Sequence, residues 1–236
     1  MKVATIILLS FLIFFTTSWS QTRYESWIRV NLNHVLSNRL STGLELQHRR
    51  QSNYWNHEKN ILDESMQTMI RPWIYWKDSR KFTTLISPLS FHLYREITNK
   101  KGDTRDYIEL RSTYGLQKNF TLNETSLKNR VLYELRLTDI KSNQLFFQTR
   151  LRIQQAFLLP IFKIKKQITF FYNCTNEFFI VQRHQLIYFD QNRFFNGLQA
   201  KKGNIEINIG YQWSQHNGNP LPYSRRQVFF NTNIDL

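Results

Sequence analysis

Histidines stand near serine or aspartate in polar stretches of the chain. The residues concerned are His57, His184, His216, Asp63, Asp190, Ser65 and Ser214. A histidine that takes a proton from a serine, and is oriented by a carboxylate, is the arrangement of a hydrolase. The sequence therefore keeps open a hydrolase acting on lipid or peptide at the rim of the molecule. The plainer interpretation is that these are the polar residues of ordinary solvated loops.

No other catalytic or ligand-binding pattern is present in the sequence. It contains no HExxH motif, Gly-rich phosphate loop, nucleophile elbow or paired His/Cys ligand set. The single cysteine, Cys174, excludes an intrachain disulfide. We therefore expect no metal, no cofactor and no enzymatic activity.

A second set of charged residues alternates with apolar ones. In the stretch from Asn129 to Phe157, the alternate positions that include Arg130 and Glu134 are polar, whereas the positions between them, such as Val131 and Tyr133, are apolar. The charged residues that we place at such polar alternate positions in the segments of the chain are Arg29, Glu45, Arg71, Glu109, Arg111, Arg130, Glu134, Arg136, Arg150, Arg152, Glu177, Arg193 and Glu206. They can fill the interior of a small barrel as ion pairs, or they can line a narrow pore that favours anions.

Such alternation at period two is typical of strands whose two faces meet different surroundings. A soluble sandwich would turn the apolar face inward, and a membrane barrel would turn it outward. The chain divides into eleven segments of roughly the length of a spanning strand, and short and long connections mostly alternate between them. The last segment ends with alternating apolar residues at Leu236. These features favour a transmembrane up-and-down antiparallel β-barrel with a polar, charged lumen.

The details of this barrel are less regular. Pro72 and Pro88 fall within segments, and each predicts a bulge or an edge position. The stretches QKNF (117–120) and LPIF (159–162) are interpreted as tight connections. Because single-chain bacterial barrels have even strand numbers, we predict about twelve strands, with ten as the alternative.

The first twenty residues have the form of a signal peptide, with Lys2, an apolar run, and a Ser-Trp-Ser site before Gln21. We expect residues 1–20 to be removed and residues 21–236 to form a single domain. The formal net charge of +15 includes only Lys2 from this segment. The other basic residues are dispersed, which argues against nucleic acid as a partner and favours an anionic membrane surface or a cationic lumen.

The stretch FDQNRFFNGL supplies a more specific signal. Its box Phe189, Asp190, Gln191, Asn192, Arg193 follows the pair Asn176-Glu177, and it resembles an uncharacterised family of outer-membrane β-barrels from Bacteroidetes, a domain of unknown function. The resemblance implies a bacterial outer-membrane location, and no reaction. We expect a monomer that contacts outer-membrane lipid and, during biogenesis, the barrel-assembly machinery, with other envelope proteins as further partners. Its function is then that of a structural or accessory membrane component or a narrow channel.

Overall fold

The computed structural model describes residues 21–56, 58–78, 82–98, 101–122, 125–140, 144–164, 167–183, 185–217 and 223–236. The segment 1–20, assigned above to a signal peptide, lies outside the described residues. His57 and His184, two of the three candidate hydrolase histidines, also lie outside them.

Eleven strands make up the described chain. They are β1 (Gln21–Val35), β2 (Leu40–Gln51), β3 (Glu64–Lys77), β4 (Phe82–Ile97), β5 (Thr104–Leu122), β6 (Thr125–Ile140), β7 (Gln144–Ile164), β8 (Ile168–Arg183), β9 (Leu186–Lys202), β10 (Ile205–His216) and β11 (Tyr223–Asp235). A 3-10 turn, Tyr54–Asn56, lies between β2 and β3. Within these described ranges no helix is long and apolar enough to cross a membrane.

The strands form one closed barrel in sequence order, which confirms the all-β up-and-down prediction. Consecutive strands pair antiparallel, and β1 pairs parallel with β11 from Gln21↔Tyr223 to Asn33↔Asp235. The prediction of twelve strands, or ten, is therefore wrong. An odd number of alternating strands can close when the first and last strands run parallel, and this barrel closes in that way.

Polar side chains reinforce this parallel seam on the inner face. The Asn31 amide donates to Asn231 Oδ1 at 2.8 Å and to Asn233 Oδ1 at 2.6 Å. Nearer the start of β1, Gln227 donates to the buried Glu25 carboxylate. Because parallel pairing is slightly less stable per residue than antiparallel pairing, these bonds add strength where the barrel closes.

The connections gather at two ends of the barrel. The turn end carries connections 36–39, 78–81, 123–124, 165–167 and 203–204, together with Leu236. The loop end carries connections 52–63, 98–103, 141–143, 184–185 and 217–222, together with the start of β1. The longest connections lie at the loop end, although 141–143 and 184–185 are as short as the turns.

Prolines lie at three of the register shifts between described strands. Strand pairing shifts between Ile70 and Ile74 around Pro72, and between Ser87 and Ser90 around Pro88, so the predicted irregularities are confirmed. The predicted connections at 117–120 and 159–162 are wrong, because β5 and β7 continue through them. Pro160 lies next to a register shift in the pairing of β7 with β8, the kind of irregularity at which a strand tolerates proline.

The two faces of the wall differ in polarity. Each strand exposes a large hydrophobic side chain on the outside, between 38% and 57% exposed: Ile28, Leu46, Ile70, Phe91, Ile108, Val131, Phe147, Tyr172, Leu198, Ile209 and Val228. The inside holds buried polar residues and two small apolar clusters, Trp27/Phe195/Phe229 and Trp73/Leu85/Leu132.

Two inward-facing glycines make room for one of these clusters. Gly197 and Gly210 pair with each other across β9 and β10. A Cβ on Gly210 would come within 2.8 Å of the Phe195 ring and 2.6 Å of the Gly197 Cα. The Phe195 ring therefore lies directly over glycine backbone, which lets it reach Phe229 and Trp27.

Candidate functional site: the charged lumen

The lumen contains a cavity of about 1070 Å³. Its walls include Val35 and Lys77 near the turn end, and Gln51 and His216 near the loop end. The cavity is therefore lined from both ends of the barrel.

Positive charge dominates the cavity wall. Among the described residues, fifteen arginine and lysine side chains line it, against six aspartate and glutamate side chains. Three further glutamates, Glu25, Glu109 and Glu134, are at most 2% exposed and lie behind this surface. Cationic groups remain in excess when these are counted.

The densest ion pairs join β6, β7, β8 and β9. Glu134 is completely buried and lies 2.6 Å from Arg150 and 2.6 Å from Arg152. Arg152 also reaches Glu177 at 2.6 Å, and Arg193 lies 3.8 Å from the same carboxylate. Carboxylates and guanidinium groups thus alternate around this part of the wall, and each glutamate serves two arginines.

Two further glutamates repeat this arrangement. Glu109 accepts hydrogen bonds from its neighbour Arg111 and from Arg136, whose Nη2 lies 2.6 Å away. Glu45 lies 3.2 Å from Arg29 and 3.7 Å from Arg71. Glu45 also accepts a 2.9 Å hydrogen bond from the Trp73 indole. Buried charges are retained when they are paired and hydrogen-bonded in this way.

The last two residues of the charged set lie toward the turn end. Arg130 donates to Gln117 Oε1 at 2.7 Å, and Glu206 accepts from Lys201 Nζ at 2.7 Å. Arg130 has no described carboxylate partner. All the charged residues that the alternation assigns to the polar face thus point into the lumen, and most of them form an ion pair with a residue of opposite charge.

The Phe-Asp-Gln-Asn-Arg box lies at an irregularity of β9. Pairing with β8 shifts so that Phe189 faces Ile180 and Gln191 faces Phe179, which leaves Asp190 as an extra residue. The Phe189 ring is on the outside and 43% exposed, whereas Gln191 and Asn192 are buried. The Asp190 carboxylate lies 3.9 Å from Arg150.

The same box is bonded to the connection between β10 and β11. The backbone N–H of Asn217 donates to the Asp190 carbonyl at 2.8 Å, and the side-chain amide of Asn217 donates to the Phe189 carbonyl at 3.1 Å. Together with the pair between Arg193 and Glu177, these bonds join a loop-end segment to the lumen wall.

Four important lumen residues escape the sequence analysis. Arg225 lies 3.2 Å from the buried Glu25, while Arg23 and Arg49 line the cavity near them. Arg49 falls in the stretch RRQ, which resembles the beginning of a polar loop. Extending the alternation of Glu45 and Gln47 by one step would have placed Arg49 inside the barrel.

Trp27 forms a platform for guanidinium groups. Arg49 lies 3.6 Å from the indole centroid, Arg29 lies 4.7 Å from it and Arg193 lies 5.7 Å from it. The Phe229 ring meets Trp27 edge-on at 4.9 Å and holds the indole in place. A cation over an aromatic face gains roughly 0.5–2 kcal/mol.

The connection between β2 and β3 covers part of the loop end. Tyr54 is 2% exposed, and its hydroxyl donates to the Ile97 carbonyl at 2.6 Å. Arg23 stacks on the Tyr54 ring at 3.9 Å. Burial raises the pKa of the Tyr54 phenol above its usual value, so the hydroxyl remains a donor at neutral pH.

Of the three candidate hydrolase histidines, His216 is the one that the structure describes, and it does not assemble a triad with other described residues. Ser214 Oγ lies 3.2 Å from His216 Nε2, and the imidazole stacks on Tyr223. No described carboxylate pairs with this ring, and the Tyr223 ring on which it stacks is also contacted by Arg23 and Arg225.

A second serine–histidine pair, Ser90 and His92, is fixed by its other hydrogen bonds. The Gln67 amide donates to His92 Nδ1 at 2.9 Å, so Nε2 carries the proton and points it at Ser90 Oγ, 3.1 Å away. The Ser90 hydroxyl in turn donates to the Arg111 carbonyl. A histidine held in this state is unable to take a proton from the serine. Within the described residues, no group of three His, Cys, Asp or Glu side chains could hold a metal ion.

Comparison with known families shows to which family the chain belongs. A family model described as "Protein of unknown function (DUF2490)" matches residues 24–222. The chain belongs to the DUF2490 family. The match runs from β1 to the connection that precedes β11, so it includes the box and the ion-paired strands of this DUF2490 barrel. No curated protein matches the sequence.

Proposed function

We propose that this protein is an outer-membrane β-barrel whose lumen forms a narrow, anion-favouring passage. The observation that carries the proposal is the cavity lined from both ends, with fifteen cationic and six acidic described side chains on its wall. The membrane location and the conduction of ions are separate parts of this proposal, and each has its own test.

The outer face supports the membrane location. A soluble monomer rarely exposes a contiguous apolar patch larger than a few hundred Å². Here every strand contributes at least one exposed large hydrophobic side chain, so the apolar surface surrounds the whole barrel. An apolar outer band around a polar interior is the arrangement of a membrane-spanning barrel. Lipid is then the partner of this surface, and assembly machinery for outer-membrane barrels is the partner during biogenesis.

The charge distribution supports anion preference. Rings of arginine and lysine select anions because they lower the energy of a negative ion in a narrow pore. Glu134 and Glu177 hold Arg150, Arg152 and Arg193 in fixed positions along the wall. The passage therefore presents positive charge without requiring mobile side chains to move toward the ion.

Ion currents across planar bilayers test the passage. The folded protein in a salt gradient is expected to give a reversal potential of the sign for anion permeation. Arg130→Gln should reduce this selectivity, because Arg130 lines the cavity and is bonded to Gln117 alone among described side chains. Arg226→Gln is the matched control, because Arg226 is exposed on the outside and stacks on Tyr24. Equal selectivity of the two variants would contradict the assignment.

Fractionation of the cell envelope tests the location. The protein should be recovered with the outer membrane, require detergent for extraction and migrate differently on a gel before and after boiling. Release by buffer alone would overturn the membrane proposal.

The ion-paired wall also favours a second candidate, a closed barrel with a structural or accessory role. Side chains commonly fill the interior of small barrels, and Glu45, Glu109, Glu134 and Glu177 each join at least two arginines here. In that case a folded, heat-modifiable protein would give no current, and contacts with other envelope proteins would be the next feature to test.

A further inference from the structure

Arginines gather without full charge compensation at the loop-end half of the lumen. They belong to four strands that lie close together around the barrel, β1, β2, β9 and β11, and are Arg23, Arg49, Arg193 and Arg225. The Arg49 and Arg193 guanidinium groups share the Trp27 ring, at 3.6 Å and 5.7 Å from its centroid. Arg23 and Arg225 likewise share the Tyr223 ring, at 4.2 Å and 5.4 Å from its centroid. We name this group the loop-end arginine cluster.

Two of the four arginines have carboxylate partners. Arg225 lies 3.2 Å from Glu25, and Arg193 lies 3.8 Å from Glu177. Arg23 and Arg49 have no carboxylate within ion-pairing distance among the described residues. Because Arg193 shares Glu177 with Arg152, the cluster carries at least two uncompensated positive charges.

Arg49 is the most unusual member because it is buried as well as unpaired. Its side chain belongs to a residue only 7% exposed, and its Nε has no hydrogen-bond partner among the described residues. It lines the cavity and rests on the Trp27 indole at 3.6 Å. Burying a charged group without a partner is strongly unfavourable, and the stacking on Trp27 offsets part of that cost.

We infer that the loop-end arginine cluster is a binding site for a dianionic oxyanion of the phosphate class, centred on Arg49. A phosphate dianion would compensate the two unpaired charges. Its oxygens would accept hydrogen bonds from the buried Arg49 Nε and from other guanidinium N–H groups, which match phosphate geometry in pairs. The Trp27 platform and the ion pairs of Arg193 and Arg225 hold the donors in place before the anion arrives.

This inference deepens the proposed anion passage by naming its ligand class, and it is tested without a bilayer. Pyrophosphate or inorganic phosphate is titrated into the detergent-solubilised, folded full chain, and heat of binding and thermal unfolding are followed. Chloride at equal ionic strength is the reference. Phosphate-class anions should release heat and raise the unfolding midpoint above that in chloride, because a ligand that binds only the folded state stabilises it.

Arg49→Gln should weaken pyrophosphate binding by about tenfold or more, the effect of losing a charge-assisted hydrogen bond. Arg23→Gln is a second variant in case Arg49→Gln fails to fold, and it should weaken binding in the same direction. Arg226→Gln is the matched control, since it removes the same charge from a residue that is exposed on the outside of the barrel. It should bind like the unaltered protein.

Unchanged binding in both cluster variants would overturn the inference, as would an equal loss in Arg226→Gln. Phosphate binding by a protein that conducts no ions would support this site while rejecting the passage. Anion currents from a protein that does not distinguish phosphate from chloride would reject this site while supporting the passage.

Discussion

Replacing Glu134 by glutamine tests whether the ion-paired wall stabilises the barrel. Glu134 is 0% exposed and accepts from Arg150 Nε at 2.7 Å and from Arg152 Nη1 at 2.6 Å. Glutamine has nearly the same shape, but it removes the charge and leaves only one accepting oxygen. Arg152 keeps Glu177 at 2.6 Å, whereas the remaining carboxylate near Arg150 is Asp190 at 3.9 Å. Arg150 therefore becomes an almost unpaired buried charge.

Removal of one partner from a buried ion pair lowers the free energy of unfolding by about 3–5 kcal/mol. Because the glutamine amide still offers one oxygen as an acceptor, we expect a loss of about 3 kcal/mol for Glu134→Gln. The measurement is unfolding of the barrel in urea, monitored by tryptophan fluorescence and by heat-modifiable migration on a gel. The loss of stability is calculated from the urea concentration at the midpoint, provided that the dependence of the unfolding free energy on urea is unchanged. Glu96→Gln is the matched control. It breaks a 2.8 Å pair with Arg105 whose side chains are 43% and 45% exposed, so it should cost less than about 1 kcal/mol. Equal losses in the two variants would refute the reasoning.

Three further outcomes are expected at the glycine pair and at the loop end. Gly210→Ala should lower stability by roughly 1–3 kcal/mol in the same urea assay, because the new Cβ would meet the Gly197 Cα at 2.6 Å and the Phe195 ring at 2.8 Å. Tyr54→Phe removes the 2.6 Å hydrogen bond to the Ile97 carbonyl, so protease should cleave connection 52–63 faster. Because burial raises the Tyr54 pKa, this bond should persist below pH of about 10 and be lost as pH rises through the folded-state value. Titration of phenolate absorbance in the unaltered protein and in Tyr54→Phe checks this expectation, since the difference between the two curves reports the ionisation of Tyr54. Ionisation of Tyr54 at the pH of free tyrosine would contradict it.

The orientation of the side chains could be predicted from the sequence because it depends only on local alternation. Arg130 and Val131 point to opposite faces wherever the strand lies in the sheet. The strand number required non-local information. Eleven segments are visible in the sequence, but the pairing of Gln21 with Tyr223 joins residues at the two ends of the barrel domain. No local pattern shows whether such a closing pair runs parallel, and the rule of even numbers led to the wrong count.

The site was predictable in its composition and unpredictable in its pairing. Which arginine meets Glu134 or Glu177 depends on the register of four strands, β6 to β9, and a shift of the ladder changes every partner. The shift at Asp190 is a case of this kind, since one extra residue decides which side chains of the box turn inward. Arg49 was missed because consecutive arginines before a polar stretch resemble the end of a strand.

The ion-pair pattern leaves positive charge facing the cavity. Each of Glu45, Glu109, Glu134 and Glu177 is shared by two arginines, so pairing is complete for the carboxylates and incomplete for the guanidinium groups. If packing alone selected these residues, further glutamates could fill the same space and remove the net charge. Instead the unpaired cations, Arg49 among them, face the cavity. A confined, net-positive space attracts counter-ions from solution, so anions are expected there whether they pass through the barrel or remain bound.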